Sequence, residues 1–377
     1  MAKTETLFPI LQPKPLTGLA AAAAEAPLDS TGCLTEYRPL ASRSILNKTV
    51  SRRGLPFTHA INPYRGCEFG CRYCYARYTH GFMEMAPEEF ERKIYFKQNA
   101  AWLLEQELKR LKPGTVIALG TATDPYQPLE RRQQVTRSLL EVFARHSGFR
   151  LGIVTKSPLI VRDLELLKKI AEHNRVTVHI TVTTTDVKLA RILEPRAPRP
   201  DLRLHALARL RDVGLRAGVM CSPLMPGITD SFASLDAVAR AAAEARACFF
   251  VSGALFLKPC SLPTFFDFVE QHFPGQIEAY RKRYEKSAFV SAVYRKRVAE
   301  MVGAVCRKYK LGRMREEEIP ERQNTSGEVE LQPWLPFDAG PSLRPENVPR
   351  TGEKKPVTPT LPLYHRAGDK LNSGRVV

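Results

Sequence analysis

Cysteine is scarce in this chain. There are eight in 377 residues, too few for a disulfide framework. No run of about 18 or more apolar residues occurs, which excludes an ordinary membrane-spanning helix. The opening MAKTETLFPILQPKPLTGLAAAAAEAPLD lacks the basic start, compact apolar stretch and cleavage site of a secretion signal, so a cytoplasmic location is expected. No internal repeat of roughly 20–50 residues is present, which argues against a solenoid. Acidic residues are the minority, 39 against 57 lysines and arginines, leaving a net charge of +18. That excess favours a polyanionic partner, DNA or RNA above all, through phosphate contacts and counterion release. Arginine is also frequent within the foldable region, as at Arg131, Arg132, Arg196, Arg199, Arg281 and Arg283.

What is present is a pattern of alternating elements. Hydrophobic residues make up 44% of the chain, enough for a substantial core. Short β-branched and aromatic runs at residues 57–62, 115–120, 150–156, 176–184, 215–221 and 248–257 are expected strands. Helical spacing covers residues 87–111, 131–146, 159–173, 201–213 and 231–246, the last with Asp230 or Ser231 as N-cap. Strand–helix alternation of this kind implies parallel strands joined by crossovers, either as an open sheet or as a barrel. Both architectures place their chemistry at the C-terminal ends of the strands. Residues 1–44 are expected to form a disordered or draped leader, residues 45–315 the folded body, and residues 316–377 a largely disordered tail. Within that tail LQPWLPF (residues 331–337) is an apolar island.

Three of the eight cysteines fall within NPYRGCEFGCRYCYAR, directly after the first expected strand: Cys67, Cys71 and Cys74. Structural zinc is nearly always four-coordinate and built from two spaced pairs, whereas here only His80 is at hand as an irregularly spaced fourth ligand. Three thiolates suit a [4Fe–4S] cluster that leaves one iron open to a ligand from outside the protein. The other strand ends are also polar. GTATD offers Thr121, Thr123 and Asp124 to a polar ligand, and also reads as ordinary turn chemistry. Lys156 is a solvated charge or an anion clamp. Thr183 and Thr184 are hydroxyl donors or plain strand residues, and Cys221 is a hydrogen-atom donor or a buried strand cysteine.

The C-x3-C-x2-C spacing with Tyr73 before the last cysteine resembles the signature loop of the radical S-adenosylmethionine (SAM) superfamily. The wider block, with TATDPYQPLE downstream, is similar to its spore photoproduct lyase-like, DNA-repair photolyase-like branch over residues 45–310. The resemblance implies a partial (β/α)6 barrel, a [4Fe–4S] cluster held by Cys67, Cys71 and Cys74, and SAM on the open iron. It also implies hydrogen abstraction from a substrate by a 5′-deoxyadenosyl radical, with a reductase or flavodoxin-type electron donor. On the same basis Tyr73, Tyr75, Thr123, Asp124, Lys156, Thr183 and Thr184 attend the cofactor, and Thr121, Tyr126 and Gln127 attend the substrate. Thr121 stands where the photoproduct lyase has its hydrogen-donating cysteine, and an O–H bond is too strong for that role, so thymine-dimer reversal is not expected. Two other functions are compatible with the sequence: a radical SAM enzyme modifying a peptide, for which Cys260 and Cys306 are sparse as auxiliary cluster ligands, and a zinc-dependent nucleic-acid-binding module.

Overall fold

The computed structural model describes residues 16–49 and 55–312; the expected tail from residue 316, with its apolar island, lies outside them. Among the described residues eleven strands are formed: β1 (Ser30–Thr31), β2 (Glu36–Leu40), β3 (Leu46–Lys48), β4 (His59–Ile61), β5 (Tyr64–Arg65), β6 (Lys93–Lys97), β7 (Val116–Leu119), β8 (Arg150–Thr155), β9 (Arg175–Thr181), β10 (Arg216–Leu224) and β11 (Phe250–Ala254). The main sheet runs β11-β10-β9-β8-β7-β4-β3. Its six strands from β4 to β11 are parallel, and β3 pairs antiparallel with β4 at one edge. The six parallel strands follow one another in chain order without the reversal that defines a doubly wound sheet. This is a partial (β/α)6 barrel. It is open, because β3 and β11 do not pair with each other among the described residues. No described helix is long and apolar enough to cross a membrane.

Side chains alternate across these strands with period two. Ile117 and Leu119, Leu151 and Ile153, Val176, Val178 and Ile180, and Ala217 and Val219 face the helices and are buried in the main core. Their neighbours Val116 and Ala118, Gly152 and Val154, Thr177 and His179, and Met220 line the barrel interior. Burial on both faces accounts for the near-continuous apolar runs that mark these strands in the sequence. Helix Phe232–Glu244 begins at Ser231, whose hydroxyl accepts a hydrogen bond from the Ser234 N–H at 3.1 Å, so Ser231 and not Asp230 is the cap.

The helix expected over residues 87–111 is three elements instead. A 3-10 turn (Pro87–Glu91) leads into β6, and the helix proper is Ala100–Leu108. Phe90 and Ile94 stand four apart, which mimics a helical face, but Ile94, Tyr95 and Phe96 are consecutive and all buried. A strand covered on both sides buries successive neighbours, and β6 does so. β6 belongs to a small second sheet of order β1-β2-β6-β5. Residues 16–44 contribute β1, β2 and helix Gly18–Glu25 to the body, and β2 pairs with β6 in parallel from Glu36 opposite Lys93 to Leu40 opposite Lys97.

Candidate cofactor site

The cysteine loop follows β4 and β5 at the C-terminal end of the barrel and is gripped from several sides. The Gly66 carbonyl accepts hydrogen bonds from Thr123 Oγ1 (2.6 Å) and Gln127 Nε2 (3.3 Å). The Glu68 N–H donates to Gln127 Oε1 at 3.1 Å, and its carboxylate accepts from Tyr37 OH at 2.8 Å and from the Leu129 N–H at 3.1 Å. The Cys67 N–H donates to the Phe90 carbonyl at 3.1 Å and the Arg72 N–H to the Leu193 carbonyl at 2.9 Å. Ser261 Oγ donates to the Cys74 carbonyl at 2.8 Å, bringing the C-terminal helices against the loop.

Gly66 is the one position in the loop where any side chain is blocked. Its φ is +82°, and a Cβ there would meet the backbone oxygens of Phe90 at 2.7 Å and Lys93 at 2.8 Å. The Phe90 oxygen already accepts from the Cys67 N–H and Lys93 opens β6, so neither withdraws freely. Gly66→Ala is expected to destabilise the fold by about 1–3 kcal/mol or more, since the positive φ alone carries that cost, and to lower iron retention. Chemical denaturation checks the first effect and iron analysis the second.

Cys67, Cys71 and Cys74 are free thiols and all three line one cavity of about 240 Å³ that runs down the barrel interior. Burial pushes each thiol above its usual range, Cys71 to about 12. Ionising them therefore calls for a metal's positive charge nearby. Among the described residues no three His, Cys, Asp or Glu side chains close on a point as the ligands of a single ion would. His80 is turned elsewhere, with Nε2 3.0 Å from the Lys93 carbonyl. A cubane differs from a mononuclear site because each thiolate meets its own iron. Three unbridged thiols around one cavity are a donor set that suits it.

The remaining expected residues divide in two. Tyr73, Tyr75, Thr121, Thr123, Asp124 and Lys156 line the cavity with the cysteines. Thr183, Thr184, Tyr126, Gln127 and Cys221 do not. Thr184 Oγ1 accepts from the Asp186 N–H at 3.1 Å, a turn that precedes helix Val187–Leu193. Tyr126 is buried in the main core, and Gln127 holds the cysteine loop from behind. Cys221 sits on the helix-facing side of β10, and its thiol donates to the Thr183 carbonyl at 3.8 Å. Period-two alternation puts its neighbours Met220 and Ser222 into the cavity.

Asp124 is occupied by its own turn. Its carboxylate accepts from Thr155 Oγ1 (2.7 Å), the Lys156 N–H (2.7 Å) and the Tyr126 N–H (2.9 Å). Burial raises its pKa despite these donors. It fixes the ends of β7 and β8 together and so positions Lys156. Thr121 is clamped likewise: Asn62 Nδ2 donates to its Oγ1 at 3.1 Å, Asn62 Oδ1 accepts from the Ala122 N–H at 2.7 Å, and Tyr75 OH donates to the Thr121 carbonyl.

Sequence reasoning missed a buried charge network beneath the loop. Tyr73 OH donates to Glu194 Oε1, Thr183 Oγ1 donates to the same oxygen at 3.3 Å, and Arg203 pairs with Glu194 at 2.5 Å. Glu194 and Arg203 are each 1% exposed. Burial works against the Glu194 carboxylate, but Arg203 and Lys156 outweigh it and its pKa falls. Burial likewise opposes charge on Lys156, and Cys71 and Glu194 outweigh it to raise the pKa. The lysine ammonium lies 5.8 Å from the Tyr73 ring centroid and forms no ion pair among the described residues. It is a held cation facing the cavity.

Comparisons with known proteins agree with this architecture. Residues 61–236 match the family model described as the radical SAM superfamily. An uncharacterized protein of Mycobacterium tuberculosis is 33% identical over 277 residues, covering 73% of this chain and 81% of that one. An uncharacterized protein of Methanocaldococcus jannaschii is 28% identical over 172 residues, 46% of this chain and 62% of that one. The fold is similar to a spore photoproduct lyase variant (TM-score 0.55, 17% identity, 72% of this chain and 79% of that chain). It is also similar to spore photoproduct lyase complexed with a dinucleoside spore photoproduct (TM-score 0.52, 16% identity, 72% and 79%). With its cysteine loop at the mouth of a partial (β/α)6 barrel, the chain belongs to the radical SAM superfamily.

Proposed function

We propose that this protein is a radical SAM enzyme acting on nucleic acid or a nucleotide-containing substrate. The observation that carries the cofactor assignment is the convergence of Cys67, Cys71 and Cys74 on one cavity with Lys156. A [4Fe–4S] cluster with SAM on its open iron supplies, when reduced, a 5′-deoxyadenosyl radical for hydrogen abstraction. Cys67, Cys71 and Cys74 would hold the cluster, and Lys156 faces the cavity as the cation suited to a ligand carboxylate. Tyr75 and Phe256, with ring centroids 5.3 Å apart, and Leu255 supply an apolar wall that excludes water from the reacting atoms. Asp124, Glu194 and Tyr73 act through their neighbours and hold Lys156 and the loop in place.

The substrate class rests on the +18 charge and on the fold shared with an enzyme solved with a dinucleoside lesion. Thr121 Oγ1 already accepts from Asn62, and a hydroxyl does not return a hydrogen atom to a substrate radical, so thymine-dimer reversal is not proposed. Reconstituted protein with dithionite and SAM should release 5′-deoxyadenosine faster when DNA or tRNA is added, and less so as salt is raised. Stimulation by a peptide digest and by neither nucleic acid would instead favour a peptide substrate. Lys156→Ala should weaken SAM binding roughly tenfold to a hundredfold, the range for losing a charge-assisted hydrogen bond, with iron content unchanged. Equilibrium binding of SAM to the iron-loaded protein checks this, and unaltered affinity would remove Lys156 from the site.

A further inference from the structure

The opposite, N-terminal mouth of the barrel carries a second charged constellation that the proposed chemistry does not use. Arg150 opens β8 and stands directly opposite Arg175, which opens β9. Arg216 opens β10 beside them, opposite Thr177, with its guanidinium 5.4 Å from the Phe249 ring centroid. All three line an open cavity of about 1060 Å³. Arg150 and Arg175 also line the interior cavity that reaches the cysteines, so they stand between the two spaces. Among the described residues Glu172 is the one acidic residue on the rim, and neither Arg150 nor Arg175 forms an ion pair. Arg150 and Arg175, opposite each other at adjacent strand starts, repel one another unless an anion lies across them.

The chain itself leads to this mouth. Gly312 lines the same cavity, bridged to Phe249 and accepting a hydrogen bond from the Phe250 N–H at 3.0 Å. Four residues further on stands Glu316–Glu318, the only run of three acidic residues in the sequence. Four residues reach about 13 Å, so the acidic run is held within that distance of Gly312. A tethered segment also has an effective concentration on the order of millimolar, so weak pairs suffice. We propose that Glu316–Glu318 docks on Arg150, Arg175 and Arg216 at the N-terminal mouth of the barrel. This does not depend on the identity of the cofactor at the other end.

Cys248 gives the test, because it is a free, half-buried thiol lining the same mouth. Its alkylation by N-ethylmaleimide is followed in the iron-loaded full-length protein by peptide mass mapping, with exposed Cys33 as internal reference. Surface ion pairs are individually weak, but three together correspond to roughly tenfold protection. Glu316→Gln, Glu317→Gln and Glu318→Gln combined should therefore speed modification of Cys248 about tenfold while leaving Cys33 unchanged. Arg175→Gln should do the same, and joining it to the glutamate changes should add little, as expected of residues in one interaction. About 1 M salt should bring the unaltered protein to the same rate, an arm that needs no variant. Equal rates in the unaltered and glutamate-substituted proteins would overturn the proposal. So would additive effects, protection that disappears on dilution (a second copy as occupant), or equal protection of both proteins by an added oligonucleotide alone.

Discussion

Cys71→Ala should leave the protein folded and without iron. Cys71 is small, and the backbone bond from the Cys74 N–H to its carbonyl at 3.1 Å survives in alanine. The fold therefore loses only the packing of one sulfur atom, an effect of about 1 kcal/mol. The cofactor loses far more. Three thiolates are the minimum that the cluster proposal allows, and neither Cys221 nor Cys260 is in the cavity to replace one. Iron per chain after anaerobic reconstitution should fall to background, and SAM cleavage with it, while the far-ultraviolet circular dichroism is unchanged. Cys33→Ala, at an exposed site, should retain full iron. Full iron retention in the Cys71 variant would rule out the proposed ligand set.

The largest effect on stability is expected at Glu194. Among the described residues its carboxylate is the only acidic partner of buried Arg203, and it also accepts from Tyr73 and Thr183. Glu194→Ala leaves the Arg203 guanidinium buried with, among the described residues, only the carbonyls of Pro198 (2.7 Å) and Thr181 (3.2 Å) as acceptors. Breaking a buried pair on one side typically costs about 3–5 kcal/mol, because the remaining charge is uncompensated. For a protein of this size that lowers the melting temperature by on the order of 10 °C. Replacing both partners with apolar residues, Glu194→Leu with Arg203→Met, should recover much of the loss. Tyr73→Phe, which removes one hydrogen bond, should cost only about 1 kcal/mol. Thermal and denaturant unfolding of the four proteins check this, and a Glu194→Ala loss under about 1 kcal/mol would show that the network contributes little. Because Tyr73 lies between Cys71 and Cys74, iron retention should fall together with stability.

The two ends of this site were not equally legible in the sequence. The six strands stand out because burial on both faces writes unbroken β-branched runs. The cysteine loop stands out because its thiols are close in sequence. Thr121, Thr123, Asp124 and Lys156 follow from the rule that strand ends carry chemistry, and they do line the cavity. The rule fails where orientation decides. Tyr126 and Gln127 lie within three residues of Asp124, yet the turn rotates one into the core and the other behind the loop. Cys221 occupies the correct strand on the other parity. Glu194 and Arg203 left almost no trace, since a glutamate just after a helix and an arginine within one usually face water. Glu194 is tied to the loop through Tyr73, 121 residues earlier, and Arg203 through Glu194. Residues 87–111 were misread because Phe90 and Ile94 keep helical spacing across a turn and a strand. Tyr37 was missed as well, because contact with Glu68 joins a leader expected to be draped to the loop it stabilises.

The central claim is that Cys67, Cys71 and Cys74 hold a redox-active cluster that acts on SAM beside Lys156. The direct measurement is anaerobic reconstitution with iron and sulfide, followed by dithionite and SAM, with 5′-deoxyadenosine and methionine quantified together. The account predicts a brown protein absorbing broadly near ~400 nm that releases both products in equal amounts. A colourless protein that binds zinc and forms neither product would contradict it.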